Sequence, residues 1–127
     1  MVAKTFEMQA RVHATQLVAS GILDHEMLIG PWWTNRPEQV ELDVVGVSKG
    51  RWKLVGEAKW SERFGQSELR RFERNLAKCG DRAEQAQRHL WLKSAPDGPL
   101  EHSLGSYVIH RPLDMLWTVE QLRSHSG

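Results

Sequence analysis

The sequence predicts an α/β fold in which a central mixed sheet is flanked by helices. Apolar residues recur at helical spacing in residues 3–20 and 67–78, which indicates two amphipathic helices. Between them, residues 27–33 and 39–60 have the apolar runs and turn residues of three strands. Two further strand candidates and a last helix follow. The predicted order is therefore helix, three strands, helix, two strands and helix, or an αβββαβ core with additions.

The first predicted helix begins near Ala3 and ends near Ser20, where Gly21 provides a stop signal. Glu7 lies at the margin of its apolar stripe. A carboxylate in that position either reaches solvent or is directed at a partner, and the sequence alone favours solvent. The stripe itself consists of Phe6, Ala10, Ala14, Leu17 and Val18.

Residues 39–60 predict a β-hairpin closed by a three-residue turn at positions 48–50. Such a turn pairs Val47 with Arg51, and further along it places two glutamates opposite each other. Because side chains alternate along a strand, one face of the hairpin collects charged residues and the other collects apolar ones. The charged face is expected to carry Glu41, Asp43, Glu57 and Lys59.

The second half of the chain carries the remaining elements. The helix at 67–78 has a buried stripe, with a basic stripe on another side that is ordinarily a solvated surface. A short helical extension is expected over 83–88, strands at 89–92 and 106–110, and a last helix over 113–123. The buried stripe is Leu69, Phe72, Leu76 and Cys79, and the basic one is Arg70, Arg71, Arg74 and Lys78.

Composition limits the possible classes of protein. The 127 residues, 40% hydrophobic and 26% charged, fit a single domain over 1–127. A net charge of +1 neither demands nor excludes nucleic acid. Cys79 is the only cysteine, so an internal disulfide is impossible and a cytoplasmic location is expected. Neither a membrane span nor a signal peptide is predicted.

Several common catalytic motifs are absent. The sequence has no phosphate-binding GxxxxGK[ST] or GxGxxG loop. Its GxSxG match at residues 46–50 lies in the predicted hairpin and does not suggest a serine hydrolase. Its six histidines show no HxxxH spacing, and a single cysteine cannot build a structural zinc site. Cys79 completes an apolar stripe, which indicates a core thiol rather than a nucleophile.

The carboxylates of the hairpin are the strongest chemical signal. Mg²⁺ and Mn²⁺ prefer oxygen ligands, and Asp43 and Glu57 on neighbouring strands supply two carboxylates, with the backbone carbonyl of Ala58 beside them. Lys59 points the same way, where it could orient or deprotonate a water or stabilise charge on a phosphate. A solvated hairpin with a Glu–Lys ion pair explains the same residues equally well.

The motif resembles that of the PD-(D/E)XK nuclease superfamily, the restriction-endonuclease-like fold that includes Holliday-junction resolvases and Mrr-type restriction enzymes. It is most similar to the nuclease-like domain at the C-terminus of a family of archaeal and bacterial P-loop ATPases. The match is strongest over residues 27–60 and loosely covers nearly the whole chain. The residues that carry it are Phe6-Glu7, Trp32-Trp33, Arg36, Glu41-Leu42-Asp43-Val44-Val45 and Gly56-Glu57-Ala58-Lys59-Trp60.

This resemblance implies a Mg²⁺- or Mn²⁺-dependent endonuclease that cleaves DNA. Asp43 and Glu57 would hold the metal with the Ala58 carbonyl, Lys59 would be the catalytic lysine, and Glu7 would be an accessory catalytic residue and ligand. Glu41 also matches the motif. By analogy the protein would be a homodimer and would act with a P-loop ATPase domain or partner. Contacts to the DNA backbone would come from Arg63, Arg70, Arg71 and Arg74.

The sequence departs from the family motif at two positions, and it allows two alternative functions. Leu42 replaces the proline that names the motif, and Ala58 replaces a cysteine whose side chain the metal does not need. Fold and activity are separable, so a non-catalytic DNA-binding or regulatory module associated with a P-loop ATPase is the main alternative. The other is a purely structural α/β domain.

Overall fold

The computed structural model describes residues 2–23, 26–100 and 102–116, and its α/β architecture confirms the predicted fold class. Residues 112–116 are also helical, and no helix within these ranges is both long and apolar enough to cross a membrane. The helices are α1 (Val2–Ala19), α2 (Gln66–Lys78) and α3 (Asp81–Glu84), with a 3₁₀ turn at Gly98–Leu100. The strands are β1 (Leu28–Thr34), β2 (Val40–Ser48), β3 (Arg51–Lys59), β4 (Gln87–Leu92) and β5 (Tyr107–His110).

The five strands form one mixed sheet in the order β1-β2-β3-β4-β5. The first three strands are antiparallel neighbours joined by short connections. The chain then crosses over through α2 and α3, so β4 lies parallel to β3, and β5 lies parallel to β4. Parallel neighbours require such a crossover. The observed order of α1, three strands, α2 and a parallel strand is the predicted αβββαβ core.

Helices cover both faces of this sheet, and each face has its own core. The apolar stripe of α1 packs on one face, and the stripe of α2 packs on the other, as their helical spacing predicts. The α1-side core contains Phe6, Ala10, Ala14, Val44, Leu54, Ala58 and Trp91. The larger α2-side core includes Val45, Val55, Phe64, Leu69, Phe72, Leu76, Leu90 and Leu92.

The hairpin turn differs from the prediction. Ser48 pairs with Arg51, so the turn has two residues rather than three. Lys49 and Gly50 have positive φ values of 53° and 76°, the conformation of a two-residue hairpin turn whose twist matches that of the strands. The predicted pairing of Val47 with Arg51 is therefore wrong.

Two later elements also differ. The helical extension expected over 83–88 is wrong beyond Glu84, because Gln87 and Arg88 already belong to β4. Their backbones pair with β3, which outweighs local helix propensity. The predicted C-terminal helix is present over 112–116, where Pro112 occupies its first turn. Residues 117–123 of that helix lie outside the described part of the chain.

Candidate active site

A β-bulge in β2 sets the direction of the first carboxylate. The register between β1 and β2 shifts at Asp43 and Val44, which together lie opposite the single residue Pro31. The bulge reverses the alternation of the strand, so that Val44 enters the α1-side core while Leu42 and Val45 enter the α2-side core. Asp43 is thereby directed to the edge of the α1 face, at the end of the sheet.

Asp43 makes contacts to two different elements. Its carboxylate Oδ2 accepts a hydrogen bond of 2.9 Å from the Ala58 amide of β3. The register of β2 with β3 extends only to Val44 and Gly56, so this side-chain bond continues the pairing where backbone pairing ends. The Asp43 carbonyl accepts a hydrogen bond of 3.0 Å from Nη1 of Arg11 in α1.

Glu57 and Lys59 come from the next strand and point to the other face. Ala58 lies between them in the α1-side core, so alternation directs both charged residues toward α2. Arg71 of α2 lies near enough to Glu57 to attract its charge. The prediction of a single charged face is therefore wrong, because the bulge places Asp43 on the α1 side and leaves Glu57 and Lys59 on the α2 side. The site is assembled at the edge where both faces of the sheet meet.

These residues line one cleft of about 410 Å³ between α1 and α2. We call it the acidic cleft. Every residue predicted as catalytic lies in its wall, and so does Glu41, whose side chain is exposed at the margin. The sequence analysis missed its polar wall residues Gln39 and Asn75. The full lining is Glu7, Gln39, Glu41, Asp43, Glu57, Lys59, Arg71 and Asn75.

Crowding and burial make ionisation of these carboxylates unfavourable. Burial, followed by a hydrogen bond with Glu7, raises the pKa of Asp43 to about 8, although the Ala58 amide acts in the opposite direction. Burial also raises the pKa of Glu57 to about 6, against the attraction of Lys59 and Arg71. An added cation would favour the ionised forms of both groups.

The donor set suits a hard divalent cation. Asp43 and Glu57 offer carboxylate oxygens, and the Ala58 carbonyl belongs to the same strand end. In residues 2–23, 26–100 and 102–116, however, no three His, Cys, Asp or Glu side chains are grouped closely enough to form a ready-made metal site. Glu7 instead shares a hydrogen bond with Asp43. Metal binding at this cleft therefore requires these side chains to rearrange.

The four arginines expected to contact DNA do not form one surface. Arg71 lines the acidic cleft, whereas Arg70 and Arg74 line a separate groove of about 540 Å³ on the outer side of α2. Arg63 is exposed but forms an ion pair with Asp97, with 2.6 Å between Nε and Oδ2. Of these four arginines, only Arg71 therefore lines the acidic cleft.

The sequence analysis also missed a second polar cluster, which we call the histidine cluster. It consists of His13 from α1, His89 from β4 and His110 from β5, all buried, around the buried Trp91. Trp91 Nε1 donates to His13 Nδ1 at 2.9 Å, and His89 Nδ1 lies 2.8 Å from His110 Nε2. No sequence spacing links these three elements, since the fold alone brings them together.

The two tryptophans of the Trp32-Trp33 motif have different environments. Trp32 packs edge-on against Trp52 at 5.1 Å between ring centroids, and Arg82 lies over both rings. Trp33 is 66% exposed on the opposite face of the edge strand. The first therefore supports the α2-side core, while the second is available at the surface.

Part of the chain matches a known family model. A family model for archaeal and bacterial proteins of unknown function, DUF234, matches residues 1–75. The matched region includes α1, the hairpin and most of α2, and so contains every residue of the acidic cleft. No curated protein and no solved structure matches the chain.

Proposed function

The chain belongs to the DUF234 family, and for this member we propose a metal-dependent endonuclease that hydrolyses DNA phosphodiester bonds. We further propose that it is a member of the PD-(D/E)XK superfamily. One observation carries the proposal: Glu7, Asp43, Glu57 and Lys59 come from three elements and line a single cleft. A cluster of carboxylates with raised pKa values beside a lysine is typical of a functional site rather than of a solvated hairpin.

Each residue has a distinct part in the proposed reaction. Asp43, Glu57 and the Ala58 carbonyl would hold Mg²⁺ or Mn²⁺, with Glu7 as an accessory ligand and Glu41 at the margin. The bound cation would supply Lewis acidity toward a phosphate oxygen. Lys59 would either orient the attacking water or stabilise charge that develops on the phosphate.

The substrate contacts and the setting are part of the same proposal. Arg71 in the cleft, with Arg70 and Arg74 in the groove on the outer side of α2, would hold the DNA backbone without reading sequence. We also propose a cytoplasmic protein that acts as a homodimer, with Trp33 as an exposed apolar contact, and that works with a P-loop ATPase domain or partner. Cys79, as the only cysteine, is consistent with a reducing compartment.

The direct test is cleavage of plasmid and branched DNA by the purified protein with Mg²⁺, Mn²⁺ or EDTA. We expect cleavage only with metal, and a loss of at least about 100-fold in Glu57→Gln and Lys59→Ala. Glu84→Gln and Lys49→Ala are matched controls for charge, since both residues lie outside the cleft. The proposal fails if either cleft variant cleaves as well as the wild type.

A non-catalytic DNA-binding or regulatory module associated with a P-loop ATPase is the second candidate. It is favoured by the hydrogen bonds of the Asp43 carboxyl group to Ala58 and Glu7, which satisfy that group without metal. This candidate predicts salt-sensitive DNA binding with no heat of Mg²⁺ or Mn²⁺ binding in calorimetry. Metal binding that disappears in Asp43→Asn would instead support the nuclease.

A further inference from the structure

A recess on the α1 side of the carboxylates has no part in the function proposed above. It has a volume of about 310 Å³ and lies between α1 and β1. We call it the α1 recess. Its walls include two cations, Lys4 and Arg11, and four apolar residues, Met8, Pro31, Trp32 and Leu42.

The α1 recess adjoins the acidic cleft through shared residues. Glu7, Glu41 and Asp43 line both cavities, so the carboxylates stand between the two. On the α2 side the cations are Lys59 and Arg71. A polyanion that crosses the carboxylates from the α2 side therefore enters the recess next.

The cations of the recess are placed to bind an anion. Lys4, Glu7 and Arg11 follow one another at helical spacings of three and four, which puts them on one face of α1. Neither cation is in an ion pair with any carboxylate of the described residues. Lys4 also lies in the first turn of α1, where the positive end of the helix dipole adds to its charge.

Arg11 contributes to the recess in two ways. One of the five N–H donors of its guanidinium holds the Asp43 carbonyl. The others make no hydrogen bond within the described part of the chain, so they remain available to a phosphate, whose oxygens guanidinium groups bind well. Arg11 thus contacts both the bulge, which sets the direction of Asp43, and the recess beside it.

We propose that the α1 recess binds a phosphate of the polynucleotide backbone on the far side of the carboxylates from α2. This inference rests on the proposed function, because it names a second backbone contact for the same DNA substrate. The substrate then crosses the carboxylates with cations on both sides, Arg71 on one and Lys4 and Arg11 on the other. The phosphodiester to be cleaved is held between two anchored neighbours, which fixes its position.

The competing explanation is that these cations only offset the negative charge of Glu7 and Glu41. Salt dependence of DNA binding separates the two explanations. Each phosphate contact to duplex DNA contributes about 0.9 to the slope of log affinity against log salt concentration. A cation that only neutralises a nearby carboxylate contributes through stability and leaves this slope unchanged.

The experiment measures binding of a fluorescent 20-base-pair duplex in EDTA over a range of salt concentrations, by anisotropy. We expect Lys4→Ala to lower the slope by about 0.9, and Arg11→Gln to do the same, with partial recovery in Arg11→Lys. Lys49→Ala is the matched control, because Lys49 lies in the hairpin turn at the other end of the sheet. Arg74→Ala tests the contact on the α2 side.

The outcomes distinguish the two proposals. If Lys4→Ala and Arg11→Gln both keep the wild-type slope while Arg74→Ala lowers it, the recess proposal is overturned and the endonuclease proposal stands. If the wild type binds no duplex in a salt-dependent way, both fail. Because Lys4 is exposed and has no hydrogen bond within the described residues, its substitution leaves the fold intact.

Discussion

The acidic cleft and the histidine cluster are both groups of titratable side chains, but they satisfy their polar atoms differently. Each takes one residue from α1, Glu7 in the cleft and His13 in the cluster. The cleft is open to solvent and crowded with like charges, and the pKa values of Asp43 and Glu57 are raised there. In the cluster, burial lowers the pKa of His89 to about 4.

The histidine cluster is complete without a ligand. The Oε1 atom of Gln87 accepts from His89 Nε2 at 3.0 Å, so His89 Nδ1 must accept from His110 Nε2. Trp91 donates to His13, and the rings stack with centroids 4.6 to 5.7 Å apart where Trp91 meets His110 and His89. Neutral, hydrogen-bonded imidazoles of this kind stabilise a core.

The acidic cleft is not complete in the same sense. Its carboxylates are stable in the fold only when some of them hold protons, because burial and mutual repulsion oppose their charge. Polar residues alone therefore do not identify a functional site. A cluster whose charges remain uncompensated by the protein is the better candidate for a cation, while a cluster that satisfies itself serves the structure.

The two clusters should respond to pH in opposite directions. His89 and His110 have pKa values lowered by burial to about 4 and about 3, so between pH 7 and 5 the unfolded chain takes up protons that the folded chain does not. Stability from these groups is full above pH 6.5 and falls as pH falls. Asp43 and Glu57 have raised pKa values, so in this interval the folded chain holds more protons than the unfolded chain and gains stability as pH falls.

When the carboxylates are removed, the loss of stability that the imidazoles cause as pH falls should therefore become measurable. In an Asp43→Asn/Glu57→Gln double variant, we expect about 2 kcal/mol to be lost for each buried imidazole between pH 7 and 5, and a much flatter profile in the wild type. Urea unfolding followed by tryptophan fluorescence measures this. His102→Gln in the same background is a control, since His102 is exposed. A flat profile in the double variant would contradict the assignment.

Gly56 packs closely against the histidine cluster, and a side chain there should disturb that packing. A Cβ at this position would lie 2.6 Å from a ring carbon of Trp91 and 2.8 Å from the His89 carbonyl oxygen. Trp91 is fully buried and cannot move aside, so we expect Gly56→Ala to lower the free energy of unfolding by about 2–3 kcal/mol. Urea unfolding at pH 7 provides the measurement.

Gly30 is the matched control for that substitution. It also lies in a strand, but a Cβ there would meet nothing within 4 Å. We expect Gly30→Ala to change stability by less than about 0.5 kcal/mol. Equal losses of stability in the two variants would show that the loss does not come from the close packing of Trp91 against β3.

The sequence predicts structure well where the periodicity of apolar residues alone decides which face of an element is buried. Apart from Val18 and Cys79, which are half-buried, the stripes of α1 and α2 are buried as predicted, because a helix with one apolar face must cover it. The hairpin register was wrong by one residue at the turn, and a bulge at Gly46 and Val47 adds a second shift. These two shifts restore the alternation of side chains as far as Val44, but the bulge at Asp43 reverses it again. The predicted charged face is therefore divided between the two sides of the sheet.

Other features depend on contacts that no local pattern encodes. The bulge at Asp43 follows from Pro31 on the neighbouring strand, and its direction is fixed by Arg11 from a helix 32 residues away. The histidine cluster needs the parallel pairing of β4 with β5, which a reading of spacings cannot supply. Metal-ligand patterns in sequence would not have found it either.

Replacing Asp43 tests whether the carboxylates of the acidic cleft destabilise the fold when no metal is bound. The raised pKa of Asp43 means that its contribution to stability is present below pH 3.8 and is lost as pH rises through about 8. Without metal at pH 8, we therefore expect Asp43→Asn to raise the free energy of unfolding by about 1–2 kcal/mol, since the neutral amide avoids burying a charge. Urea unfolding in EDTA is the measurement.

Bound metal should reverse the order of stability of the wild type and Asp43→Asn. Mg²⁺ or Mn²⁺ is expected to raise the melting temperature of the wild type and to leave Asp43→Asn unchanged, since a ligand stabilises only the state that binds it. Glu84→Gln, which removes an exposed carboxylate of α3, should respond to metal as the wild type does. A metal-free gain of the same size in Glu84→Gln would show that general charge, rather than the cleft, is responsible.

The smallest effect is expected at the solvent end of the histidine cluster. Gln87 is exposed, and its side chain accepts the Nε2–H of His89. Water can take over that hydrogen bond from the outside, so Gln87→Ala should cost only about 0.5–1 kcal/mol. Gln85→Ala, at an exposed side chain without a hydrogen bond in the described residues, should cost less. A loss in Gln87→Ala as large as that in Gly56→Ala would mean that the cluster is closed to water at this end. In that case the hydrogen bond to Gln87 alone would keep the cluster neutral at this end.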